Sequence, residues 1–196
     1  DWSYPRRQAE AKRLLARAGY GPGHPLTFEM KTSNATDSIQ IAQAMQADWM
    51  SIGIQAKLRQ EEGQIMFKDF NVRDFDLGLV SWILDYDDPL TFLSLMRSDT
   101  GAQNYGDYRN PAYDALLDQA DRETDIAKRA QILARGEQMV IDDADIAPIY
   151  YGVNRNLVNP NVTGWTDNFG DIHPAKFLCL AGHAPAAARR ADKVTP

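Results

Sequence analysis

The sequence predicts an α/β fold in which a mainly parallel βαβαβ sheet is followed by a helical half and an extended C-terminal segment. Three observations carry this. Apolar and β-branched residues alternate with polar ones, or run together, around residues 26–32, 54–59 and 75–82, as in strands. Two stretches with helical spacing, residues 36–51 and 64–71, lie between them, so strands and helices alternate as crossover connections require. Beyond residue 88 the chain turns helical, with cap residues opening each segment.

Each element has a local cause. Residues 5–18 form an amphipathic helix: Pro5 suits its first turn, Gly19 stops it, and Ala9, Leu14, Leu15 and Ala18 give its apolar side. The run Gly21-Pro22-Gly23-His24-Pro25 is a loop. In the first strand Leu26, Phe28 and Met30 alternate with Thr27, Glu29 and Lys31. Thr36 or Asp37 caps the next helix, whose Ile41, Met45 and Trp49 recur every fourth residue. Gly53 ends it, and Ile54, Ala56 and Leu58 form the buried side of the second strand. A short helix at residues 64–71 packs through Ile65, Phe67 and Phe70, and the third strand runs through residues 75–82.

The helical half begins with a short helix at residues 88–96. Asn110-Pro111 then places a cap before a proline at the first helical position, opening a helix to about residue 123. Thr124 or Asp125 caps another to about residue 141, with Lys128, Arg129 and Arg135 on its solvent face. Residues 146–158 are extended and apolar but interrupted by Pro148 and Gly152, which reads as an edge strand or a crossover between domains. Turns follow at Asn159-Pro160 and Gly164, and residues 177–180 suggest a last strand. The Ala/Pro/Arg-rich residues 182–196 have no periodicity and read as a disordered tail.

The bulk composition excludes several classes. The chain of 196 residues is 44% hydrophobic and 24% charged, ordinary for a globular protein. Its net charge of −6 argues against a nucleic-acid partner and suits a cationic or zwitterionic ligand. The single cysteine, Cys179, rules out an internal disulfide. His24, His173 and His183 lack metal-ligand spacing and read as surface residues, and no nucleophile elbow or phosphate loop is present. No metal or other cofactor is expected.

The most informative stretch is the apolar run that reaches Trp82 and then Asp85-Tyr86-Asp87-Asp88-Pro89. It places a ring and a carboxylate at the carboxyl end of a strand, where ligands of open α/β sheets bind. A carboxylate about 4 Å from an ammonium gains about 4 kcal/mol at an effective dielectric near 20. The indole adds a rigid wall and a cation–π face. The same residues also fit a plainer arrangement, a core Trp and an Asp capping a turn. Asp85 with Asp87 or Asp88 could instead serve as a carboxylate pair of a hydrolase, or bind calcium, although the loop lacks the glycine and closing glutamate of an EF-hand. Asp88 before Pro89 is more simply a helix cap. The loop Asn104-Tyr105-Gly106-Asp107-Tyr108 fits a cleft lining or local packing equally, whereas Tyr150-Tyr151 fits core packing or a hinge.

These segments, taken in order, resemble family 5 extracytoplasmic solute-binding proteins, the oligopeptide- and dipeptide-binding components of ABC importers. Ala11-Lys12-Arg13-Leu14-Leu15-Ala16-Arg17-Ala18-Gly19-Tyr20 resembles the family's opening helix, and residues 42–54 its next helix and turn. Phe75-Asp76, Trp82, Asp85-Tyr86 and Asp88-Pro89 resemble its central signature. Asn104, Tyr108, Asn110-Pro111 and Asp114 follow in the family's spacing, as does the Pro148-Ile149-Tyr150 crossover.

The resemblance implies a periplasmic-binding-protein-like lobe. Residues 1–145 would form the second lobe, and residues 146–181 would return toward a first lobe missing from this sequence. It implies a periplasmic or other extracytoplasmic location, a leader removed from this chain, a membrane permease as partner, and no enzymatic activity. The Asp matching Asp85 would receive a peptide's α-ammonium, and the Trp matching Trp82 would line a side-chain pocket. Asn34, Asn104 and Tyr105 would face the cleft. The sequence departs from peptide-binding members at Leu79, often basic, and at Gly63, often aromatic. The family also contains binders of nickel complexes, sugars and opines; peptide is the favoured ligand class.

Overall fold

A computed structural model describes residues 2–182. The predicted tail therefore lies outside the described residues, apart from its first position. Helix α1 (Tyr4–Arg17) is followed by β1 (Thr27–Ser33), α2 (Thr36–Ser51), β2 (Gln55–Glu61), α3 (Gly63–Asn71) and β3 (Leu77–Gly78). The three strands form a parallel sheet of order β2-β1-β3. Thus the expected βαβαβ sheet is present, with β1 at its centre.

The two crossover helices cover opposite faces. Phe28 of β1 meets Trp49 of α2 edge to face at 5.2 Å, and Gln46 Nε2 of α2 donates to the Ala56 carbonyl at 2.7 Å. Lys31, of opposite parity in β1, reaches Asp69 of α3 instead. Of the three packing residues that the sequence predicts for α3, Phe70 is buried as expected, but Ile65 and Phe67 are exposed; Met66 is its other buried residue. The cause is close packing at β3: an added Cβ at Gly78 would stand 2.7 Å from Phe70 Cζ, so the ring lies directly on the strand backbone.

Strand β3 is much shorter than residues 75–82. Only Leu77 and Gly78 pair with β1, after which the Leu79 N–H donates to the Lys31 carbonyl at 2.8 Å and the chain leaves the sheet. Before the strand, Asp76 Oδ2 accepts the Glu29 N–H at 2.9 Å, so a side chain replaces the ladder. No side-chain bond caps α2: its cap position is Ala35, and Asp37 merely stands in the first turn.

The helical half consists of α4 (Leu90–Leu93), running into a 3₁₀ turn at Ser94–Met96, then α5 (Pro111–Arg122) and α6 (Ile126–Asp142). Asn110 and Asp125 cap α5 and α6 through their side chains, as the sequence predicts. Leu93, Tyr108, Tyr113, Leu117, Ala120, Ile132, Leu133 and Val140 form one core, and the buried Tyr113 hydroxyl donates to the Leu93 carbonyl at 2.6 Å. Arg129 is not on the solvent face; it is half-buried and reaches Asp88.

Residues 147–159 contain no strand. Tyr150 and Tyr151 are exposed, Tyr151 at 93%, so they are not core. The predicted last strand is β5 (Cys179–Leu180), preceded by a 3₁₀ turn at Ala175–Phe177 and paired with the short, unforeseen β4 (Val162–Thr163). His173 also departs from the surface reading: its ring stacks on Trp165 at 3.5 Å and bonds Asp171 at 2.8 Å, leaving 11% of the side chain exposed. Among the described residues no helix is long and apolar enough to cross a membrane.

The Phe70–Gly78 contact gives a direct test. Gly78→Ala should lower the unfolding free energy by about 1–3 kcal/mol through overpacking. Gly63→Ala, where an added Cβ meets nothing within 4 Å, should stay within about 0.5 kcal/mol. Urea denaturation of both variants makes the comparison, and equal effects would contradict the packing described.

Candidate functional site

All three parallel strands finish at the same end of the sheet. Because the connection from β1 runs outward to β2 over one face and the chain returns from β2 over the other face to β3 on the far side of β1, the carboxyl ends of β1 and β3 flank a topological switch point, the crevice where open α/β sheets bind ligands. Asn34 stands there. Its N–H continues the ladder to the Glu61 carbonyl at 2.9 Å, while the residue itself is exposed just past the end of β1.

Past the Leu79 bond the chain runs through residues 80–84 without a ladder partner among the described residues and enters the turn Asp85–Asp88. Trp82 is half-buried, and its indole N–H is covered yet unpaired among the described residues. It is therefore neither the freely exposed ring nor the fully buried core Trp that the sequence allowed. Asp85 is exposed, and among the described residues its carboxylate has no hydrogen-bond or ion-pair partner. Its backbone is fixed instead: the Asp85 N–H donates to Oγ1 of the buried Thr91 at 3.0 Å.

Asp88 holds the other side of this turn. Its Oδ1 accepts the Leu90 N–H at 2.9 Å, starting α4, and its two oxygens take both terminal nitrogens of Arg129, Nη2 at 3.0 Å. The Arg129 guanidinium, then the Leu90 N–H, keep this carboxyl below the ordinary carboxylate range despite partial burial. These bonds occupy Asp88 and leave it poorly placed as an acid–base partner for Asp85. Asp87 remains exposed beside it.

The loop before α5 divides the roles of its residues. Asn104, 4% exposed, donates to the Arg97 and Tyr108 carbonyls at 3.1 and 2.9 Å and accepts the Tyr108 N–H at 2.9 Å. Its amide is thus spent inside the loop. Tyr105 is half-buried against Phe70 and Phe67, with ring centroids 5.4 and 6.4 Å away, and burial raises its phenol above the usual value. The loop is anchored by Tyr108, whose hydroxyl donates to Asp143 at 2.5 Å; burial first, and this carboxylate second, push its phenol up to about 12.

One group that sequence reading did not single out lies beneath the site. Lys31, 2% exposed at the centre of the sheet, sets its ammonium 2.5 Å from Asp69 and 3.4 Å from Asp74. Burial alone would lower its pKa, but the two carboxylates more than offset this and hold the ammonium charged. Register places Arg59 and Glu61 of β2 on the same face, with Arg59 Nε 2.6 Å from Glu61 Oε1 in an off-axis ion pair. The only sequence sign was a lysine at an alternating position of a central strand, indistinguishable from a solvated one.

The arrangement can bind but offers little for chemistry. Among the described residues it presents the carboxylates of Asp85 and Asp87 without partners, a half-buried indole and unpaired backbone, all past one end of a parallel sheet. Among the described residues no three His, Cys, Asp or Glu side chains are placed to hold a metal ion.

Comparison with known proteins agrees with this reading. The profile described as bacterial extracellular solute-binding proteins, family 5 Middle, matches residues 1–104. The periplasmic oligopeptide-binding protein OppA of Salmonella typhimurium is 34% identical over 166 residues, covering 84% of this chain and 30% of its own length. The periplasmic murein peptide-binding protein MppA of Escherichia coli is 35% identical over 177 residues, covering 89% of this chain and 33% of its own. The chain thus spans about a third of the length of these relatives. The solved structure of E. coli MppA superposes with a TM-score of 0.84 at 32% identity, covering 93% of this chain and 36% of that one. A structure of Haemophilus influenzae OppA in complex with RPPGFSPFR gives 0.83 at 27% identity.

The ion pairs around the site predict acid sensitivity. The bond to Lys31 depresses Asp69, and the bond to Arg129 depresses Asp88. Each stabilises the fold above the ordinary carboxylate pKa and loses that contribution as pH falls from about 4 through the lowered folded value. Urea midpoints measured between pH 7 and 2.5 should decline over that window. Asp88→Asn should reduce the midpoint at pH 7 and flatten the decline; an unchanged pH profile would contradict the pairing.

Proposed function

Because the chain belongs to the family 5 bacterial extracellular solute-binding proteins, we propose that it is one jaw of the substrate-binding component of an ABC-type peptide importer. The ligand is an oligopeptide or dipeptide with a free amino end, captured between two lobes and delivered to a membrane permease. The location is periplasmic or otherwise extracytoplasmic, and the role is binding without catalysis.

The observation that carries this reading is the exposed Asp85 carboxylate, without a partner among the described residues, three residues after the half-buried Trp82 and past the carboxyl end of β3. Asp85 receives the α-ammonium, and Trp82 walls the adjoining side-chain pocket. Residues 80–84, without a ladder partner among the described residues, offer backbone groups to a peptide laid alongside, in the manner of strand addition. Asn34 and Tyr105 line the approach, while Asn104 keeps the loop that carries Tyr105 in shape. The hydrolase alternative with Asp85 and Asp88 is set aside, because Arg129 and the α4 cap already use Asp88. The relatives support the ligand class: one is named for murein peptide, and another was solved with RPPGFSPFR.

Capture needs both jaws, so residues 1–182 alone should bind peptide weakly or not at all in calorimetry. In the natural protein that carries this chain, Asp85→Asn should weaken binding of a free-amino peptide by about 10- to 100-fold, the loss of one charge-assisted contact. Turnover of peptide or glycoside, or submicromolar binding by the chain alone, would contradict the reading.

A further inference from the structure

We propose that Arg129 of α6 is the positioning residue for the ammonium-binding carboxylate, acting through Asp88 and Thr91; this rests on the binding role assigned to Asp85. The Asp85 side chain has no partner among the described residues, so its place is set entirely by the backbone of its turn. Three bonds fix that backbone. The Asp85 N–H donates to Thr91 Oγ1 at 3.0 Å. The Asp88 N–H donates to the Tyr86 carbonyl at 2.8 Å, and the Thr91 N–H to the Asp88 carbonyl at 3.1 Å, closing the turn onto the start of α4. Helix α4 has only four residues and could not hold its place through its own hydrogen bonds.

Its far end is seated in the core by Leu93, whose carbonyl accepts from the Tyr113 hydroxyl; what fastens the turn end is the two-nitrogen grip of Arg129 on Asp88, which is half-buried on both sides. A planar fork that takes both oxygens fixes direction as well as distance, which a lysine cannot do. Arg129 belongs to α6, whose Ile132, Leu133 and Val140 lie in the core of the helical half. The guanidinium therefore transfers the rigidity of that core to the turn that presents Asp85. It touches no ligand, and its effect should appear only where the ammonium is recognised.

The test uses the natural protein that carries this chain and calorimetry with tri-alanine and tri-lysine, each with a free and an N-acetylated amino end. The wild type should prefer the free-amino peptides, and Asp85→Asn should abolish the preference. Arg129→Met should reduce the preference by about tenfold while leaving affinity for the acetylated peptides unchanged, and Arg129→Lys should restore only part of it. A purely structural role would weaken both peptide forms together, or shift the melting temperature with the preference intact; either result overturns the proposal. If Arg129→Met fails to fold, the Arg129→Lys measurement decides by the same criterion. A wild type that binds peptides without preferring free amino ends overturns the role of Asp85 and this proposal together. An intact wild-type preference that survives in the Arg129 variants overturns this proposal alone.

Discussion

A single buried ammonium organises the end of the sheet where the proposed site lies. Lys31 stands at the centre of β1; its carbonyl accepts the Leu79 N–H, the last ladder bond of β3, and its Nζ binds Asp69 of α3 and Asp74 of the loop before β3. Backbone and side chain of one residue thus fix both the strand that leads to Trp82 and the helix that covers it. Buried charge of this kind is costly to desolvate and gives little net stability, but removing one partner leaves the others stranded. Its contribution is to geometry more than to energy. Phe70 completes the arrangement by lying on Gly78, so β3 is held from the side and from below.

A second ionic fastening does for the recognition turn what Lys31 does for the strand. The pair Asp88–Arg129 binds the turn after Trp82 to α6, and Arg73 of the sheet half meets Asp107 of the helical half at 2.8 Å. Tyr105 packs across the same junction onto Phe70. The proposed ligand-facing residues therefore sit between two separately cored halves, each supplying one rigid boundary. Asp85, whose carboxylate has no partner among the described residues, is carried on the turn that Asp88 fastens to α6. A site so built needs no catalytic group to be selective, since a desolvated ammonium opposite a free carboxylate is penalised heavily when either charge is missing.

The likeness to the family was legible because its signals are local. Caps at Asn110 and Asp125, the stop at Gly19, and the spacing of Trp82, Asp85 and Pro89 are all readable one residue at a time. On the same ground the sequence offers Asp85 and Trp82 as candidates for the proposed site, because they stand out by type and position. Asn104 shows the limit. A polar residue in an aromatic loop looks equally suited to a ligand or to its own backbone, and only the folded loop shows all of its bonds turned inward.

The sequence by itself determined the order of the first three strands and of the helices, the caps of α5 and α6, and which carboxylates stand after the third strand, because hydrophobic period and cap chemistry act over a few residues. It also determined the family, through several weak motifs kept in one order. Tertiary structure alone decided that β3 ends after two residues, that α3 turns Met66 inward in place of Ile65 and Phe67, that Lys31 is buried and that Arg129 grips Asp88. Those outcomes depend on which neighbour lies across the sheet or across the junction. A lysine or arginine at a given periodic position looks the same in sequence whether water or a carboxylate from another element completes its charge.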